Sequence, residues 1–199
     1  MSRRRVNSQG RRRPSREPRT QLLVVCGARR TEPAYLAGLR RETRNPAVAI
    51  KVLSHPRDPE RVVRYAKKCQ EKLGTDFDEI WCVLDVDQFE YGPALKIAAQ
   101  EGINLAISNP CFEVWLLLHH IDLAMPLRDA GEAIELLKQF VPGYEKADLD
   151  FSDFAEQIPL AIERAKLMCA KESPLGDNPS SGMWRLVELI TAAASAESR

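Results

Sequence analysis

Residues 21–39, QLLVVCGARRTEPAYLAGL, pass from an apolar run through a turn into a helical pattern. The run 22–26 reads as a buried strand. Gly27 turns the chain, Arg29 and Arg30 follow, and Thr31, Glu32 and Pro33 open a helix. That helix buries Tyr35, Leu36 and Leu39, which the helical period places on one face. A strand that turns into a helix N-terminus is a common frame for a phosphate or metal site, because the free backbone N–H groups there favour negative charge.

Outward from this stretch the same alternation continues. AVAIKVLSH (47–55) reads as a second strand, and Asp58-Pro59-Glu60 as a helix start with the acid as N-cap and proline in the first turn. The expected buried stripe of that helix is Val62, Ala66, Cys69 and Leu73. EIWCVLDVD (79–87) is a third strand whose continuous apolar run predicts burial on both faces. A helix follows over about 91–101, and INLAIS (103–108) is a fourth strand. Asn109-Pro110 is then expected to cap an apolar helix, CFEVWLLLHH, over 111–120. The order predicts an α/β fold, a mostly parallel, Rossmann-like sheet flanked by helices. From about residue 129 strands are expected to stop. Helical patterns run over 130–141, 153–171 and 180–195, with a loop at 173–182. The chain thus divides into a disordered Arg-rich arm (1–20), an α/β domain (21–128) and a helical extension packed on it (129–199).

The 199 residues are 44% hydrophobic and 29% charged, as in ordinary water-soluble globular proteins, and no apolar run approaches a membrane span. No apolar segment follows the basic start, which argues against a secretory signal and for a cytoplasmic protein. The five cysteines make no C-x-x-C pair and are expected to be reduced. His55, His119 and His120 have no zinc-ligand spacing with them. The net charge of +1 is unevenly placed: eight arginines and one acid fall within residues 1–20, which leaves −6 on the rest. A basic arm on an acidic body is either a solvated tail or a phosphate-binding arm, with Arg11, Arg12 and Arg13 at its centre.

In open parallel sheets the active crevice lies at the carboxyl ends of the strands. Glu32 follows the first strand, Asp85 and Asp87 end the third, and Glu113 follows the fourth. The i, i+2 spacing of the aspartates points both to one side of an extended chain. Acids converging from several strands repel one another unless a cation offsets them, and an all-oxygen set suits Mg²⁺ or Mn²⁺. Each also has a plainer reading. A glutamate at a helix start is commonly a partner of the helix dipole, Asp-x-Asp commonly ends a strand, and Glu113 can be paired with an arginine or exposed.

The basic lead-in, VVCGARRTEPAYLAGL, WCVLDVDQF, ISNPCFEVWLLLHH and NPSSGMWRLVELI together resemble the RloB-like family, placed with the Toprim-fold proteins of bacterial defence and abortive phage infection. The resemblance implies a Toprim-like sheet in which Asp85 and Asp87 hold Mg²⁺, and it matches Thr31, Glu32 and Pro33 to the family's Thr-Glu-Pro. The family pattern there is Cys-Glu-Gly-x-x-Thr-Glu-Pro. Its leading glutamate, implied to act as general acid or base, is replaced by Gly27. Loss of a positioned proton-transfer group commonly costs ~10²- to 10⁴-fold in rate.

Three functions follow from this sequence. The first is a Mg²⁺- or Mn²⁺-dependent nuclease acting on DNA or RNA. Asp85 and Asp87 are its metal ligands and Glu32 and Glu113 auxiliary ligands or bases. Arg29, Arg30 and the arm are its phosphate contacts. The second is a catalytically degenerate module that binds nucleic acid or serves a partner ATPase, as the resemblance implies; no Walker A loop is present in this sequence. The third is an interaction protein with an incidental acidic edge.

Overall fold

A computed structural model describes residues 19–74, 76–86, 89–168 and 174–192. The chain runs β1 (Thr20–Cys26), α1 (Thr31–Thr43), β2 (Val48–Ser54), α2 (Pro59–Leu73), β3 (Glu79–Asp85), α3 (Gly92–Glu101) and β4 (Asn104–Asn109). It continues through α4 (Glu113–Leu117), α5 (Ala130–Leu137), α6 (Ile158–Met168), β5 (Ser180–Ser181) and α7 (Met183–Ala192). The sheet order is β2-β1-β3-β4-β5; the first four strands are parallel and β5 is antiparallel to β4. The α/β, mostly parallel, Rossmann-like expectation is therefore correct.

Alternation along the strands builds two apolar layers, because successive side chains point to opposite faces. Leu22, Val24 and Cys26 of β1 join Trp81 and Val83 of β3 and Ala106 of β4 in one layer, against α1, α4, α6 and α7. Leu23 and Val25, with Ile80, Cys82 and Leu84, face α2 and α3. The continuous apolar run of β3 is buried on both faces, as its sequence predicts.

Most local signals act as expected. Asp58 caps α2 by accepting from the Arg61 backbone N–H at 3.1 Å, with Pro59 in the first turn. Val62, Ala66 and Cys69 are buried along α2, but Leu73, expected in that stripe, is the helix's last residue and is 36% exposed. On α1, Gly38 makes room for a ring. A Cβ there would lie 2.3 Å from Phe151 Cγ, so only glycine allows this approach.

Three expectations need correction. The apolar stretch 111–120 is not a ten-residue helix. Its α-helix is Glu113–Leu117, and the residues after it form turns. Asn109-Pro110 does not cap it; the capping residue is Phe112. What the apolarity reports is burial from Cys111 through His119. The stretch 153–171 is not one helix either, because 3-10 turns at Phe151–Asp153 and Ala155–Gln157 precede α6. Strands also do not stop at 129. Ser180 and Ser181 pair with Asn109 and Ser108. The buried Ser108 and Ser181 hydroxyls lie 2.8 Å apart, and the Gly182 N–H donates to the Ile107 carbonyl. Asn178 secures the approach to this strand with two hydrogen bonds to the backbone of Leu127.

At the end of α4, His119 is buried inside a ring of Tyr35, Trp115 and Phe154. Its Nδ1–H donates to the Trp115 carbonyl, so Nε2 accepts from the Tyr35 hydroxyl. Burial pushes this imidazole down to about 3, and it stays neutral. It is a core residue. Cys26, Cys69, Cys82 and Cys111 are free and buried. No described helix is long and apolar enough to cross a membrane.

Candidate functional site at the carboxyl edge of the sheet

The carboxyl ends of β1, β3 and β4 lie side by side, because parallel pairing places Cys26 opposite Val83 and Asp85 opposite Ser108. The edge is extended by Gly27 N–H donating to the Val83 carbonyl and Val86 N–H donating to the Ser108 carbonyl, both at 2.9 Å. Tyr91 donates its hydroxyl to the Asp85 carbonyl and fixes the end of β3. By alternation, Asp85 shares its face with Trp81 and Val83, the face that α1 and α4 cover.

Three of the four expected acids lie along this edge. Glu32, in the first turn of α1, is 2% exposed, and Glu113, the first residue of α4, is 1% exposed. The charges of Glu32 and Asp85 both bear on Cys26, whose thiol burial pushes well above its usual range. Glu113 and Asp85 both bear on Cys111 in the same way. Gly27, Ala28, Glu32, Arg57, Leu84 and Asp85 are among the residues that line a cleft of about 100 Å³. Asp87 lies outside the described residues, as do Arg11, Arg12 and Arg13. Arg29 and Arg30 stand exposed on the turn between β1 and α1.

Sequence reasoning missed two partners of Glu113. The Tyr144 hydroxyl donates to Glu113 Oε1 at 2.9 Å, and Lys146 Nζ lies 3.0 Å from the same oxygen. Both come from the segment between α5 and the 3-10 turn at Phe151–Asp153. They sit in a turn-rich stretch with no periodicity, so no local pattern pointed to them. Glu113 is paired with a lysine, where an arginine was the plainer expectation. Thr31 Oγ1 donates to the Lys146 carbonyl at 2.9 Å and ties this segment to the start of α1.

The electrostatics follow from burial. Desolvation pushes the Glu32 carboxyl up from 4.5 to about 7. A hydrogen bond from its own backbone opposes the rise, the Glu113 charge adds to it, and Lys146 opposes it. Burial pulls the Lys146 ammonium down, but Glu113, with help from Cys111 and Asp85, more than reverses this and holds it above its usual range. Lys146 therefore stays charged. Burial and Glu113 together push the Tyr144 hydroxyl up, so it remains a donor.

Glu32 Oε2 and Glu113 Oε2 are buried and have no hydrogen-bond partner among the described residues. Buried carboxylate oxygens without partners are hard donors of the kind Mg²⁺ and Mn²⁺ take, so the donor chemistry fits a divalent cation. No group of three His, Cys, Asp or Glu among the described residues stands assembled to hold one.

The Gly27 backbone does not have a positive φ, so the turn does not depend on glycine for its conformation. A Cβ there would meet Leu84 Cδ2 and the Val83 carbonyl at 3.3 Å, a tight but not forbidding approach. The backbone angle at Gly27 therefore imposes no need for glycine.

The chain belongs to the RloB-like family, whose model, described as RloB-like protein, matches residues 22–190. No curated protein and no solved structure matches it.

Proposed function

We propose that this member of the RloB-like family cleaves phosphodiester bonds of nucleic acid at the Glu32–Asp85–Glu113 edge, with Mg²⁺ or Mn²⁺ as cofactor. The observation that carries this reading is the pair of buried carboxylate oxygens without partners, Glu32 Oε2 and Glu113 Oε2, beside Asp85. Asp85 and Asp87 would hold the ion, with Glu32 and Glu113 as auxiliary ligands or bases. The ion would supply Lewis acidity toward the scissile phosphate and offset charge on the leaving oxygen. The protein's own groups do the rest. A Glu32 carboxyl at about 7 is matched to proton transfer near neutral pH, the task of the glutamate that Gly27 replaces. Arg29 and Arg30 flank the start of α1, where backbone N–H groups add to their pull on phosphate. Arg11, Arg12 and Arg13 of the arm extend that contact along the strand. A role in phage defence belongs to the same proposal, carried by the family resemblance.

The second reading is a degenerate module that binds nucleic acid, or serves a partner ATPase, without cutting. Gly27 is the observation in its favour, since the position can accept a side chain and lacks the carboxylate. One pair of measurements separates the two. Mn²⁺ should raise the melting temperature of the full chain, by binding the native state, and Asp85→Ala should abolish the rise. DNA and RNA oligonucleotides incubated with Mn²⁺ should then be cut by the wild type and not by Asp85→Ala. A metal-dependent melting shift without cleavage supports the degenerate module. Equal melting behaviour in both proteins removes the metal site.

A further inference from the structure

Glu113 is the most deeply buried acid of the site, and a carboxylate withdrawn from water needs a compensating charge. Lys146 supplies it, yet the compensation is incomplete. Lys146 Nζ and the Tyr144 hydroxyl both go to Oε1, while Glu113 Oε2 and Glu32 Oε2 are left without partners. One ammonium thus serves a group of carboxylates that also includes Asp85, whose charge bears on it.

The two ends of Lys146 behave differently. Its backbone is fixed. The carbonyl accepts from Thr31 Oγ1 at 2.9 Å, and the segment closes on itself through the Glu145–Asp148 bridge and the buried Tyr144. Its side chain is 48% exposed, against 1% for Glu113. A lysine stem has four rotatable carbons and a point charge, so it can leave one oxygen for another without the planar fit an arginine requires. The residue that holds it, Thr31, follows directly on Arg29 and Arg30.

We infer that the Lys146 ammonium is the resident counter-ion of the buried carboxylates, and that a divalent cation entering the site displaces it toward a phosphate of the bound nucleic acid, beside Arg29 and Arg30. This rests on the metal-site reading above and adds to it a residue that couples ion binding to substrate binding. A dication satisfies the orphaned oxygens that one ammonium cannot. The ammonium it frees is then available to an anion at the mouth of the cleft, and metal and nucleic acid favour each other's binding.

The test uses the full chain at pH 8 and Mn²⁺ alone as the first probe, by titration calorimetry. Lys146→Gln keeps a hydrogen-bond donor for Glu113 Oε1 but carries no charge, and it should bind Mn²⁺ about tenfold more tightly than the wild type. Lys146→Arg keeps the charge and should stay near wild type. The second probe is a fluorescent single-stranded oligonucleotide. Mn²⁺ should raise its affinity for the wild type, and Lys146→Gln should lose most of that rise. A third measurement needs no mutant fold: in ¹³C-methylated wild type, the Lys146 signal should move on addition of Mg²⁺. Equal Mn²⁺ affinity in wild type and Lys146→Gln, or an unmoved Lys146 signal, overturns the inference, while loss of Mn²⁺ binding in Asp85→Ala leaves the metal-site reading standing. If no variant, wild type included, binds Mn²⁺, the metal-site reading falls and this inference with it.

Discussion

The Thr31 hydroxyl donates to the Lys146 backbone carbonyl at 2.9 Å across 115 residues of sequence, and this bond joins the turn after β1 to the segment that pairs with Glu113. Thr31 is only 6% exposed, so its hydroxyl has little access to water in place of the carbonyl. Thr31→Val keeps the shape and removes the donor. It should lower stability by about 1–2 kcal/mol in urea denaturation, with the slope unchanged. A loss below a few tenths of a kcal/mol would mean that the segment is held without this bond, by its contacts with Glu113 and the Glu145–Asp148 bridge.

Glu32 gives the pH dependence. Its folded value of about 7 lies above the ordinary 4.5, so between these values the folded state binds the proton that the unfolded state has lost. This group's contribution is fully present below pH 4.5 and is lost as pH rises through about 7. Its full size is about 3 kcal/mol as an order of magnitude. In the presence of a chelator, wild type should lose stability from pH 5 to 8, and Glu32→Gln should lose less. Parallel curves for the two proteins would show that Glu32 titrates normally.

Gly27→Glu places a carboxylate where the family resemblance implies one. The backbone angle permits it, and the 3.3 Å contact with Leu84 Cδ2 is with the end of a side chain that can shift. The Val83 carbonyl at 3.3 Å is less yielding, so a small loss of melting temperature is expected without metal. Added Mn²⁺ should reverse it, and cleavage should rise by about 10²-fold or more if proton transfer limits the wild type. If Glu32 already serves as the base, Gly27→Glu changes little and Glu32→Gln is the damaging change.

Gly38→Ala tests the packing beneath the site. The new Cβ would lie 2.3 Å from Phe151 Cγ, and neither α1 nor the 3-10 turn can retreat without opening the core around Tyr35. A cost of about 1–3 kcal/mol is expected in chemical denaturation, against the small gain that glycine to alanine brings at an open helix position. A stabilised variant would show that the Phe151 ring is not held against α1.

Deletion of residues 1–19 removes all eight arginines that precede β1. Affinity for oligonucleotides should fall, and the plot of log affinity against log salt should flatten, because fewer counterions are released on binding. An unchanged slope would reduce the arm to a tail.

The sequence by itself determined the strands β1 to β4, the helices α1 to α3 between them and the acids at their ends. Apolar runs and helical spacing report burial of a face, and that burial is a local property of consecutive residues. Asp58-Pro59 could be read as a helix start because a cap acts within one turn. Asp87, Arg11, Arg12 and Arg13 were named from sequence but lie outside the described residues. Tertiary structure decided the rest. Apolarity over 111–120 could not distinguish a long helix from a short one followed by buried turns, since both bury the same side chains. Ser180 and Ser181 carry no strand signal, and they pair only because β4 offers them its free edge. Glu113 was legible as an acid after a strand. Its pairing with Lys146 and Tyr144 was not, because a contact made across tens of residues leaves no period in the chain and is fixed only when the layers close over the sheet.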